Sequence, residues 1–226
     1  METNVTAANI LLIGQIGAGK SSFFNSVDSI FRGRVMNKAC SGNSERSITT
    51  MFNPLVPFES DSARYIKKPE LKDKIHCVAF VIDSSTVDVM PDKVLKHMKD
   101  LQARMTHRGL PHVVLLTKID KLSPEVDDDV TNTYTHTTVC EAVNKAAKIM
   151  GLPSAHIFPI KNYVSEPNLT TALDILIMKA LKRCLEFADD FMDEQLLRKA
   201  AEEKMNCTEV ENDQNHIEEK IENMIN

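Results

Sequence analysis

Residues Gly14 to Ser21, GQIGAGKS, constrain this chain more than any other stretch, because they fit the phosphate-binding pattern GxxxxGK[ST] residue for residue. The run ahead of them, Ile10 to Ile13, is unbroken apolar sequence, as a parallel strand buried on both faces should be. A strand that turns through glycines into a helix from about Lys20 leaves the amides of the first helical turn without intrahelical partners. The helix dipole adds partial positive charge at the same place, and a polyphosphate satisfies both. Gly14, Gln15, Ile16, Gly17, Ala18 and Gly19 are therefore the candidate phosphate cradle, continued by Lys20, Ser21 and Ser22. Lys20 is predicted to reach the β- and γ-phosphates, and the Ser21 hydroxyl to ligate Mg²⁺.

The rest of the chain alternates strand and helix patterns. HCVAFVID (His76 to Asp83), HVVLLT (His112 to Thr117) and AHIFPI (Ala155 to Ile160) read as buried strands. A helix from Lys20 to about Phe31 is expected to bury Phe23, Phe24, Val27, Ile30 and Phe31. Val94, Met98, Leu101 and Met105 stripe the next, and Val139, Val143, Ala147 and Met150 the one after. Each of those two ends at a glycine, Gly109 or Gly151, and a Leu-Pro pair then leads into a strand, the punctuation of βαβ units. A last helix is expected from Leu169, capped by Asn168, to about Met192. The pattern predicts an α/β, three-layer P-loop NTPase fold with a reduced, mainly parallel sheet over residues 1–192. Residues 193–226 read as an acidic tail, helical or mobile.

The strand ending at Thr117 delivers TKID (Thr117 to Asp120) at the same sheet edge as the phosphate loop. It looks like the [NT]KxD guanine-recognition motif of GTPases. Guanine offers two donors, N1–H and its 2-amino group, which one carboxylate accepts together; adenine presents an acceptor at N1, which Asp120 repels. A site built to pair a polar edge rejects the mismatched analogue by a factor on the order of 10⁴ to 10⁵. The aliphatic stem of Lys118 is suited to lie over the base plane. Thr117 stands where Asn is commoner, which puts the bridge from this motif to the phosphate loop in question. Lys161 and Asn162 follow the last strand, where GTPases place the loop whose backbone meets guanine O6, although as side chains they read as a solvated turn. The expected ligands are GTP or GDP with Mg²⁺.

Composition narrows the partners. A net charge of -5 over 226 residues argues against nucleic acid, which calls for a concentrated basic face. The cysteines, Cys40, Cys77, Cys140, Cys184 and Cys207, show no metal or disulfide spacing, and no run is apolar enough to span a bilayer. With no signal core at the N-terminus, the expected location is cytoplasmic.

NILLIGQIGAGKSSFFNSVDSIFRGRV (Asn9 to Val35), LKDKIHCVAFVID (Leu71 to Asp83), LLTKID (Leu115 to Asp120), KNY (Lys161 to Tyr163) and FADDF (Phe187 to Phe191) together resemble the GTPase domain of the interferon-induced protein 44 family. The resemblance runs from about Ala8 to Met192. It implies a cytoplasmic GTP-binding protein of antiviral and innate immune responses.

One expected element is missing. The family resembles other GTPases in carrying DxxG on a strand between the first helix and HCVAFVID, and no DxxG occurs between Ser41 and Asp83. Loss of that strand would leave Ile10 to Ile13 at the edge of the sheet, a surface that invites cover by a loop or a partner. Thr49 and Thr50, in SITTMF, are candidates for the switch threonine on Mg²⁺, or else β-favouring residues in a loop. Asp83 is a candidate metal acid of Walker B type, or else a cap on the turn after its strand. No residue is assignable as the one that orients the attacking water. The leading expectation is thus a GTP-binding protein with weak or absent hydrolysis. Its rivals are an active Mg²⁺-dependent GTPase or phosphotransferase using Asp83, and an interaction protein with a vestigial nucleotide site. Contact surfaces for a protein partner or a second copy would be the sheet edge or the tail.

Overall fold

Long apolar runs with β-branched residues make strands here, and the glycines between them set where each strand hands over to a helix. The computed structural model describes residues 7–36, 66–67 and 69–225, with side chains as far as Ala201. Thr49, Thr50, the Ser47 to Phe52 stretch and, of the segment where DxxG was sought, residues 41–65 and 68 lie outside the described residues.

The strands β1 (Ile10–Ile13), β2 (Cys77–Asp83), β3 (His112–Thr117) and β4 (Ile157–Ile160) form one parallel sheet in the order β1-β2-β3-β4. The helices are α1 (Lys20–Arg32), α2 (Asp92–His107), α3 (Pro124–Asp128), α4 (Thr137–Met150) and α5 (Thr171–Ile225). Alternation along the strands divides the core in two. Cys77, Ala79, Val81, Val113, Leu115 and Ile160 pack under Phe23 of α1 and under Leu173, Ile177, Ala180, Cys184 and Ala188 of α5. On the opposite face, Val78, Phe80, Ile82, Val114, Leu116 and Ile157 pack against Met98 of α2 and Ala142, Ala146 and Met150 of α4. The result is the expected three-layer α/β arrangement, a reduced P-loop NTPase-like fold with a C-terminal helix. Among the described residues β1 lies at the sheet edge.

Three expectations need correction. On α1, Phe24 and Phe31 are 47% and 70% exposed, while Asn25, Ser26 and Ser29 are buried. Beside Phe23, the inward face of that helix is partly polar because its serines hydrogen-bond to other segments: Ser26 Oγ accepts from the Tyr163 amide at 2.9 Å and Ser29 Oγ from the Met36 amide at 2.7 Å. Helix α5 begins at Thr171, which leaves Asn168 outside its first turn. The same helix continues past Met192 to Ile225 without a break.

Register brings the functional ends together. Thr117 pairs with Asp83 on one side and Ile160 on the other, so β2, β3 and β4 end at one level. β1 stops lower, with Ile13 beside Phe80, and the chain leaving it must run across the end of β2. Gly14 makes that passage possible: a Cβ there would lie 2.2 Å from the Val81 carbonyl oxygen, closer than any side chain can come. Gly14→Ala should therefore destabilise the protein by about 1–3 kcal/mol, the cost typical of overpacking, seen as a lower urea midpoint at unchanged slope.

Candidate functional site

The turn after β1 is built by its own backbone. The Ala18 amide donates to the Gln15 carbonyl at 3.2 Å, and Gly17 and Gly19 take φ of 79° and 99°, a region that disfavours side chains. Gly19 caps α1 without a side chain, so the cap itself supplies no oxygen to the amides of the first turn. Lys20 folds back over the loop, its Nζ donating to the carbonyl oxygens of Gly14 at 2.8 Å and Gln15 at 2.7 Å. An ammonium has three protons, so one is left for a ligand. Burial lowers the Lys20 pKa from its ordinary value.

At the end of β3, Thr117 is fully buried, and its Oγ1 lies 2.6 Å from the Ala18 carbonyl oxygen and 3.1 Å from that of Ile82. A hydroxyl carries one proton, and the shorter contact is with Ala18. Threonine thus makes the bridge to the loop that its substitution for Asn had put in question.

Lys118 follows in a left-handed conformation, φ 59°, and is gripped at both ends. The Ser84 hydroxyl donates to its carbonyl oxygen at 2.9 Å, while its Nζ donates to Asp83 Oδ2 at 2.6 Å. The other Asp83 oxygen accepts from the Ser85 amide at 3.0 Å and the Ser85 hydroxyl at 2.7 Å. Burial raises the Asp83 pKa, but the Lys118 ammonium and the two Ser85 donors outweigh it, and the carboxyl sits below its ordinary value. Gln15, Ile16, Gly17, Ala18, Asp83, Thr86, Lys118 and Lys121 line a cavity of about 330 Å³ beside the loop. Ile16 stands on its rim, 53% exposed.

Asp120 is the middle residue of the short 3-10 turn Ile119–Lys121. Its carboxylate accepts no hydrogen bond from another side chain among the described residues, and burial raises its pKa against the smaller opposing effects of its own amide and of Lys161. Lys161 is bound, not solvated: its Nζ donates to the Asp127 carbonyl at 3.0 Å and Oδ1 at 2.6 Å and lies 3.3 Å from Glu166 Oε1. Nor is Asn162 part of a solvated turn. It is 5% exposed, and a Cβ on Gly19 would lie 3.3 Å from its Nδ2 and 3.4 Å from the Thr117 side chain. The phosphate loop, the TKID turn and the loop after β4 therefore meet at Gly19.

Several residues of this site carry no sequence signal. Ser84 and Ser85, which brace Lys118 and Asp83, read only as a polar turn. Ser26 donates to the Ser22 carbonyl at 2.8 Å and accepts from the Tyr163 amide, tying α1 to the loop after β4 across 137 positions of sequence. Among the described residues no three His, Cys, Asp or Glu side chains are grouped to hold a metal ion, and no helix is long and apolar enough to cross a membrane. Ser21 and Asp83 are the candidate Mg²⁺ residues within the described part, and both Asp83 oxygens already accept hydrogen bonds.

No protein-family model matches the chain. Similarity to curated proteins is extensive. Interferon-induced protein 44-like of Homo sapiens is 32% identical over 84% of this chain and 53% of its own length. Interferon-induced protein 44 of Homo sapiens is 29% identical over 91% of this chain and 58% of its own. The Mus musculus protein of the same name is 28% identical over 86% and 58%. The chain spans just over half the length of these relatives. With similarity of this extent, the chain belongs to the interferon-induced protein 44 family.

Proposed function

We propose that this chain is a cytoplasmic GTP- and GDP-binding module of the interferon response, with nucleotide hydrolysis weak or absent. The observation that carries the reading is the Thr117 hydroxyl on the Ala18 carbonyl, 2.6 Å, which locks the TKID turn to the phosphate loop. With that bridge in place, Lys20 and the amides after Gly19 hold the phosphates, Ser21 supplies a ligand to Mg²⁺, and Asp120 takes the N1–H and 2-amino donors of guanine. A half-buried carboxylate whose charge is not met by side-chain donors suits a ligand that brings two. The interferon response comes to this chain from the names of its relatives. Weak hydrolysis follows from the missing DxxG, since catalysis of phosphoryl transfer needs an oriented water and charge stabilisation beyond binding.

Calorimetry with GDP, GTP and ADP tests the reading. Guanine nucleotides should bind with Mg²⁺ and ADP should not, and Lys20→Ala should weaken both guanine nucleotides. Asp120→Asn should lose GDP affinity by on the order of 100-fold or more, two charge-assisted bonds being broken. The same variant should gain xanthosine diphosphate, which carries an acceptor where guanine carries its amino group. Because the folded protein holds Asp120 at a raised pKa, the ionised carboxylate disfavours folding at neutral pH, and the ligand-free variant should melt no lower than wild type. Equal affinity for GDP and ADP would overturn base selection.

The rival reading of Asp83 as a metal acid is weakened by its ion pair with Lys118. On the present reading Asp83 holds that lysine in place. Its folded pKa lies below the ordinary 3.8, so its contribution is present above about pH 4 and is lost as pH falls through the lower folded value. Asp83→Asn should cost about 1 kcal/mol at pH 7, a difference that shrinks in acid and does not change with Mg²⁺, measured by denaturant unfolding.

A further inference from the structure

We propose that Asn162 donates its side-chain amide to N7 of the guanine base, a contact that Thr117 is unable to make. The inference rests on the guanine-nucleotide reading above. An asparagine at the Thr117 position would have two N–H groups, one for the phosphate loop and one for the base. Threonine has a single proton, and at 2.6 Å from the Ala18 carbonyl that proton is committed. The base edge then lacks a donor from β3.

The next strand brings one. Asn162 is 5% exposed, yet its amide makes no hydrogen bond among the described residues, and its Oδ1 is buried without a donor. Burying an unsatisfied amide is costly, and an aliphatic side chain would fill the same space without that cost. The amide lies against Gly19 and Thr117, the two residues at which the phosphate loop and the base motif join. Its neighbours have no donors to spare: the Tyr163 amide is taken by Ser26, and the Lys161 ammonium by Asp127 and Glu166. Guanine offers only acceptors, N7 and O6, on the edge away from Asp120. A side-chain amide turns about χ2 to present either end, and such an edge selects the NH₂.

Replacing N7 by C–H tests this without touching the protein. In calorimetry, wild type should bind GDP roughly three- to tenfold more tightly than 7-deazaguanosine diphosphate, the range for one hydrogen bond. Asn162→Ala and Asn162→Asp should bind GDP as weakly as wild type binds the 7-deaza analogue, and should no longer distinguish the two. Equal binding of both nucleotides by wild type, or full discrimination retained in Asn162→Ala, would overturn the assignment and leave the guanine reading intact. Failure of wild type to bind either nucleotide would overturn both. The wild-type comparison decides even where Asn162→Ala weakens the fold.

Discussion

The passage of Gly14 under the Val81 carbonyl is the constraint on which the rest of the site depends. β1 stops short of β2, so the chain must cross the end of its neighbour before it can open a helix. Only a residue without a Cβ fits that crossing, and it sets the height at which the loop lies. From there Ala18 comes level with the end of β3, where the Thr117 hydroxyl takes hold of it. Without the crossing, the loop would ride higher and the two motifs would not meet.

The site is then assembled from strand ends rather than from any one element. Asp83, Thr117 and Ile160 finish at one level, and each strand contributes a turn that leans on the next. The turn after β2 braces Lys118 through Ser84 and Asp83. The segment after β4 is clamped to α3 through Lys161 and Asp127, and to α1 through Tyr163 and Ser26. A parallel sheet makes such convergence natural, because the carboxyl ends of all its strands open on one side.

Much of this was legible in residue order. The strands stood out because burial on both faces demands unbroken apolar runs, and the sheet keeps β3 at His112–Thr117 as expected. The turn from β1 into α1 was legible because its glycines mark where the strand gives way to a helix. What could not be read were contacts between polar groups far apart in the chain. Asp83 could be read as a cap on the turn after its strand, where it accepts from the Ser85 amide, but not as the partner of Lys118, 35 residues away. Asn162 is written like a surface turn and is buried by the helix cap across from it. Helical spacing placed aromatic side chains on the inner face of α1. Phe23 is there, but hydrogen bonding put Ser26 and Ser29 beside it and left Phe24 and Phe31 outside.

The knot around Tyr163 has a consequence for how a ligand would arrive. Its amide is fixed to α1 by Ser26, and its hydroxyl accepts from the Thr170 amide at 2.7 Å and donates to Asp174 of α5 at 2.8 Å. The segment after β4 is thereby held by two helices before any ligand enters. Its loss of freedom falls on folding, not on association. Entry would accordingly be governed by diffusion to a standing receptor, with little induced rearrangement to slow it.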